Sequence, residues 1–166
     1  MTLTDLLSTL PQVGQVRWIG VRPARRVAPL VVEAVEARIG GLTGDHFSGN
    51  AQSKRHVTLM QSEHLDVLAH LLNRDAVDPA LLRRNIVVSG INLHALNGGT
   101  FRIGEAVFEA TGACHPCSRM EEALGPGGYN AMRGHGGITA RVLAGGIIRL
   151  GDEVRLLQPG LPGRAS

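Results

Sequence analysis

The stretch Ile138-Thr-Ala-Arg-Val-Leu-Ala-Gly-Gly-Ile-Ile-Arg-Leu-Gly-Asp-Glu-Val-Arg-Leu-Leu157 decides the fold. Short runs of β-branched and aliphatic residues are cut by Gly145-Gly146 and Gly151-Asp152, so it predicts three strands, at 138–143, 147–150 and 153–157. Upstream, Phe101–Ile103 and Ala106–Thr111 flank Gly104-Glu105 as a hairpin-like pair. Arg55–Met60, Asn85–Ser89 and Gln15–Val21 read as strands too. Leu30–Ile39 also scores as helix, but it lacks a cap and ends in Gly40-Gly41, which favours strand. The helical segments are few and short: Thr2–Leu10, a helix opened by Ser62, a turn at Asp78-Pro79, and one from Ser118 to Leu124. No regular alternation of strand and helix is present. The expectation is a mainly β domain, a barrel-like sheet with a few short inserted helices.

The 166 residues suit one domain, 1–166, with a core from about 14 to 157 and a flexible tail at 159–166. Glycine occurs 22 times while aromatics make up 3%, so the core is filled by Val, Ile, Leu and Ala. No apolar run is long enough for a membrane span of about 20 residues. The start, Met-Thr-Leu-Thr-Asp, does not read as a secretory signal, and two cysteines three apart cannot staple distant segments. A cytoplasmic location follows as the expectation; oligomeric state is not legible. Of 17 basic residues only Lys54 is a lysine. Arginine captures carboxylate and phosphate through two parallel donors, so anionic partners are expected. Net charge is only +3, without basic runs, which argues against nucleic acid.

Both cysteines lie in Ala113-Cys-His-Pro-Cys-Ser-Arg-Met-Glu-Glu122. Ser118 and Glu121 have the spacing of a capping box, which sets Cys117 just before a helix start, near unpaired backbone donors and Arg119. A thiol there favours its thiolate, the form that attacks electrophiles and binds soft metals. A small buried apolar cysteine is the competing reading. Cys114-His-Pro-Cys117 also has the spacing of a thioredoxin-like redox pair, although its place late in the chain argues against that. Zinc would need more ligands than this pair, and His46, His56, His115 and His135 are scattered. Arg83-Arg84-Asn85 at one strand entrance and Lys54-Arg55 at another suggest an anion site if both strands end at the same rim; the alternative is ordinary solvated arginines. The loops at 40–46 and 125–130 match neither a P-loop nor a dinucleotide fingerprint.

In order along the chain, Gly-Leu-Thr-Gly-Asp-His (41–46), Arg-His-Val-Thr-Leu-Met (55–60), Leu-Arg-Arg-Asn-Ile-Val-Val-Ser-Gly (82–90), Phe-Arg-Ile-Gly-Glu-Ala (101–106), Pro-Cys-Ser-Arg-Met-Glu (116–121) and Gly-Asp-Glu-Val (151–154) resemble the MOSC domain, the C-terminal domain of molybdenum cofactor sulfurases. The resemblance covers residues 14–157 and implies a stand-alone member. It implies a barrel-like β domain whose reactive cysteine, matching Cys117, either ligates molybdenum in a pterin cofactor or carries sulfur as a persulfide. Cofactor-binding relatives reduce N-hydroxylated compounds with electrons from a partner protein. Carried over, the cofactor-binding set is His46, Arg55, Arg83, Arg84, Asn85, Ser118 and Arg119, and Cys114 receives no role. The expected partners are the anionic pterin and a separate electron- or sulfur-donor protein. Pyridoxal phosphate, used by full sulfurases, is not expected, since Lys54 alone could form its Schiff base.

Overall fold

The computed structural model describes residues 1–161. Thr2 and Asp5 cap each other's backbone and start helix α1, Leu3–Ser8. Strand β1, Gly14–Val21, follows, and the 30–39 segment then divides into β2, Leu30–Val31, and β3, Ala34–Arg38. The turn at Gly40 leads into β4, Gly41–Leu42. Strand β5, Val57–Gln61, runs directly into α2, Ser62–Leu71. A 3-10 turn at Pro79–Leu82, capped by the Asp78 carboxylate on the Ala80 N–H, delivers β6, Ile86–Ser89. Then come β7, Thr100–Ile103; β8, Ala106–Ala113; α3, Ser118–Leu124; α4, Gly128–Met132; β9, Ile138–Ala144; β10, Gly146–Arg149; and β11, Glu153–Gln158.

Seven strands close on themselves in the order β11-β7-β8-β9-β5-β6-β1, with β11 pairing back onto β1 through Gly14↔Val154 and Gln15↔Glu153. Only β5 and β6 are parallel, so α2 and the 3-10 turn make the crossover between them. Strand β2 adds to the far end of β1, whereas β3 leaves the barrel for a small sheet ordered β10-β3-β4. One predicted strand at 30–39 is therefore two, in different sheets, because the chain must turn from one to the other at Val32-Glu33. The barrel interior is aliphatic, with Phe101 and Phe108 stacked at 5.4 Å. A second core, including Met60, Leu68, Leu82, Val87, Met120 and Met132, fixes α2, α3 and α4 against the barrel wall. The leucines of α1 are not part of either core; Leu3 is 61% exposed. At the other end of the chain Gly160 packs against Asn97 and Gly98, while the rest of the expected tail, 162–166, lies outside the described residues.

Two local features lead to predictions. Gly137 has φ +81°, and a Cβ there would overlap the Leu59 carbonyl oxygen. Gly137→Ala is expected to cost about 3 kcal/mol or more, read by urea denaturation. On α2, burial and the His135 ring, 4.9 Å away and edge-on, push His64 below the ordinary histidine value, with Glu63 pulling weakly the other way. The unfolded chain thus takes up this proton first, so stability falls as pH drops through about 6.5 toward the lower native value. His64→Leu is expected to flatten that part of the stability–pH curve.

Candidate functional site: an arginine cleft beside Cys117

Strand β1 runs antiparallel to β6, and β5 runs parallel to it, so the end of β1 and the starts of β5 and β6 share one rim. That topology brings Arg22, just after β1, together with Arg55, before β5, and Arg83, before β6. With Arg25 and Arg119 they line a cleft of about 470 Å³ that holds one carboxylate, Asp45. Arg83 occupies the left-handed region at φ +60°, a conformation uncommon for a residue with a side chain and often found where a site demands it.

The rim is held by hydrogen bonds. The Asn85 carboxamide oxygen accepts from the Thr58 N–H and hydroxyl at 3.1 and 3.2 Å, and its amide donates to the Gly20 carbonyl, joining β1, β5 and β6. Asp45 accepts from the Arg22 N–H at 2.8 Å, and the His46 ring lies 3.2 Å from the Arg22 carbonyl. The buried His56 accepts at Nδ1 from the Val142 N–H and donates from Nε2 to the Asn50 carbonyl, so its tautomer is set and it anchors the 47–50 loop above the cleft.

The guanidinium groups oppose one another. Burial first lowers the pKa of Arg22 and Arg83; the Asp45 carboxylate pulls Arg22 back up, the neighbouring arginines lower both, and negative charge on Cys117 would raise both. Among the described residues none of the cleft arginines forms a close ion pair with a carboxylate; the pairs present are Arg38–Glu36, Arg141–Glu109 and Arg155–Glu153. An array of this kind is complementary to a multiply charged anion. Inorganic pyrophosphate is expected to raise the melting temperature, and Arg83→Ala to weaken its binding roughly tenfold, with added salt weakening it further.

Cys117 is exposed and is itself the N-cap of α3; Ser118 is the first helical residue. The expected Ser118–Glu121 capping box does not form. The Glu121 carboxylate instead accepts from the Gly127 and Tyr129 N–H groups at 2.6 and 2.9 Å, starting α4, and these bonds hold its pKa below the usual range. Of the residues expected at the site, His46, Arg55, Arg83, Asn85 and Arg119 meet in the cleft, with Cys117 close enough to act on Arg22, Arg83 and Arg84. Cys117 and Ser118 are both exposed at the start of α3, and neither is in the cleft wall. Arg84 lies beneath the site: its buried guanidinium donates to the carbonyls of Gly136 and Leu82, each at 2.8 Å, and of Cys114 at 3.5 Å. Arg22 and Arg25 were not legible as site residues, since only the strand order aligns Arg22 with Arg55 and Arg83.

The chain is thus a seven-stranded barrel with an accessible thiol and an arginine-lined cleft at its rim. The model of the MOSC domain matches residues 43–155, and the chain belongs to that family. Among solved structures it is similar to the YuaD protein of Bacillus subtilis, at 17% identity and TM-score 0.79 over 92% of this chain and 100% of that one. It is also similar to YiiM of Geobacillus stearothermophilus (19%, TM-score 0.72, 87% and 75%) and YiiM of Escherichia coli (19%, 0.67, 86% and 69%). These likenesses concern the fold. No curated protein sequence matches the chain. No helix among the described residues is long and apolar enough to cross a membrane.

Proposed function

We propose that this MOSC protein binds a molybdenum cofactor, with Cys117 as the protein's metal ligand, and reduces N-hydroxylated compounds using electrons from a separate donor protein. The observation that carries the reading is one exposed thiol, outside the cleft wall but within electrostatic reach of Arg22 and Arg83, next to a cleft lined by five guanidinium groups. Such a donor set suits a ligand with a soft metal at one end and a phosphate at the other. When bound, the cofactor supplies a redox-active metal that passes electrons to the N–O bond of the substrate. Arg22, Arg55 and Arg83 grip the phosphate, Asp45 steadies the Arg22 backbone, and Asn85 keeps the three strand ends in register. Arg119, two residues beyond Cys117, adds positive charge beside the thiol. Lys54, the sole lysine, is exposed and does not line the cleft.

The exposure of Cys117 also suits a second reading, a persulfide handed to a metal–sulfur cofactor or partner. Metal analysis and intact mass of protein made in cofactor-competent cells separate the two. Stoichiometric molybdenum is expected; metal-free protein whose Cys117 carries one extra sulfur would replace the first reading by the second.

A further inference from the structure

A groove of about 420 Å³ adjoins the arginine cleft and shares Arg22, Arg83 and Arg119 with it. Residues 22–29 connect β1 to β2 and are pinned at the Val21↔Leu30 pair. Because β1 and β6 are antiparallel, the 3-10 turn at Pro79–Leu82 stands at the same rim. Leu82 and Met120 lie in one core, which fixes that turn against α3, the helix that carries Arg119 and Glu122. The groove is therefore preformed, and its volume falls in the range of small-molecule sites. Away from the shared arginines its walls are unlike those of the cleft. Val27, Ala28 and Pro29 form one apolar wall, and Ala80 and Leu81 another. Val27 and Leu81 are 45% and 38% exposed and belong to neither hydrophobic core. Arg26 and Arg83, both in the groove wall, lie in the left-handed region at φ +60°. Among the described residues Asn73 is the only other non-glycine residue with positive φ. Such conformations gather where a ligand is clamped.

These walls select a ligand. The guanidinium groups of Arg22, Arg26, Arg83 and Arg119 meet a single carboxylate, Glu122, and among the described residues none is ion-paired with it. Four positive groups against one negative are compensated better by a phosphate dianion than by a carboxylate, and phosphate oxygens suit paired guanidinium donors. Inorganic phosphate alone would leave the Val27 and Leu81 surfaces in water. We infer that the groove binds an organic phosphate, with its phosphate on Arg22, Arg83 and Arg119 and an apolar, ring-sized body against Val27, Pro29 and Leu81. The inference uses neither Cys117 nor a metal, so it does not rest on the molybdenum reading. It also relates the two cavities: an anion in the cleft draws on the same three arginines, so each ligand weakens the binding of the other.

Inorganic phosphate and phenyl phosphate differ by one ring and serve as probes at about pH 8, where both are dianions. Calorimetry on the full chain gives their affinities, and the methyl signals of Val27 and Leu81 report by NMR where the ring lies. Phenyl phosphate is expected to bind roughly tenfold more tightly than phosphate, the gain from partly burying the ring, and to shift both methyl signals. Leu81→Ser should cut that gain to less than about threefold and leave phosphate binding unchanged. Val27→Ser makes the same test on the other wall if Leu81→Ser fails to fold. Phe47→Ser, which alters the wall of the cleft alone, should leave the gain intact. Saturating pyrophosphate should displace phenyl phosphate. Equal affinity for the two probes, a gain kept in Leu81→Ser and Val27→Ser but lost in Phe47→Ser, or phenyl phosphate retained beside pyrophosphate would overturn the assignment. None of these outcomes depends on whether Cys117 retains molybdenum, so the two readings fail separately.

Discussion

Replacing Cys117 by serine is expected to reduce bound molybdenum on the order of 100-fold while leaving the unfolding free energy within about 0.5 kcal/mol of the parent. Both halves follow from position. Cys117 is exposed at a helix N-cap and its side chain makes no capping hydrogen bond, so the fold loses no packing or bond when sulfur becomes oxygen. Serine is a good N-cap residue, so α3 should persist. A hydroxyl is nonetheless a hard, protonated ligand where a soft thiolate is needed. Metal content by mass spectrometry and a urea melt on the same preparation check the pair. Full molybdenum retention by Cys117→Ser would remove this sulfur from the metal's coordination.

Arg84→Met should produce the reverse pattern, a loss of about 3 kcal/mol or more in stability. Arg84 is 6% exposed, and its guanidinium donates to three carbonyl groups, those of the neighbouring Leu82 and the distant Cys114 and Gly136. Methionine fills a similar volume but leaves those oxygens buried and unpaired. Arg84→Lys should recover only part of the loss, since a single ammonium cannot reproduce the planar fork that reaches Gly136 and Leu82 together. Besides the urea midpoint, thiol alkylation reports the change: Cys114, 3% exposed, should become reactive as the 114–116 and 134–137 segments separate. Unchanged stability would mean the three carbonyls find other donors.

The barrel was readable because glycine and β-branched residues act over a few positions, and the 138–157 stretch became β9, β10 and β11 nearly as its punctuation implies. The division of 30–39 was not, because strand propensity does not reveal that Leu30–Val31 and Ala34–Arg38 pair with different partners. Glu121 misled for a related reason. Its spacing from Ser118 suits a capping box, but the Gly125-Pro126-Gly127-Gly128 turn brings the open donors of α4 within reach, and the carboxylate satisfies those instead. Helix α4 itself, begun by glycine, carries little local signal. At the site, Arg55, Arg83 and Asn85 were legible from their place at strand starts. Arg22 required strand order, since its neighbours in space lie 33 and 61 positions away along the chain. The adjacent Arg83 and Arg84 look alike in sequence, and only burial separates the one that faces the cleft from the one that ties the floor together.

The ring closes where the first and last barrel strands meet, through only two residue pairs, Gly14↔Val154 and Gln15↔Glu153. Contacts so far apart in sequence carry the largest loop-closure entropy, so this seam should assemble last and breathe first. The strands flanked by Arg55, Arg83 and the Cys114–Cys117 segment lie in the unbroken run β8-β9-β5-β6, which does not include either strand of the seam. In hydrogen exchange the amides of the seam should therefore trade with solvent well before those of β5 and β9, leaving the ligand-bearing wall standing while the joint opens.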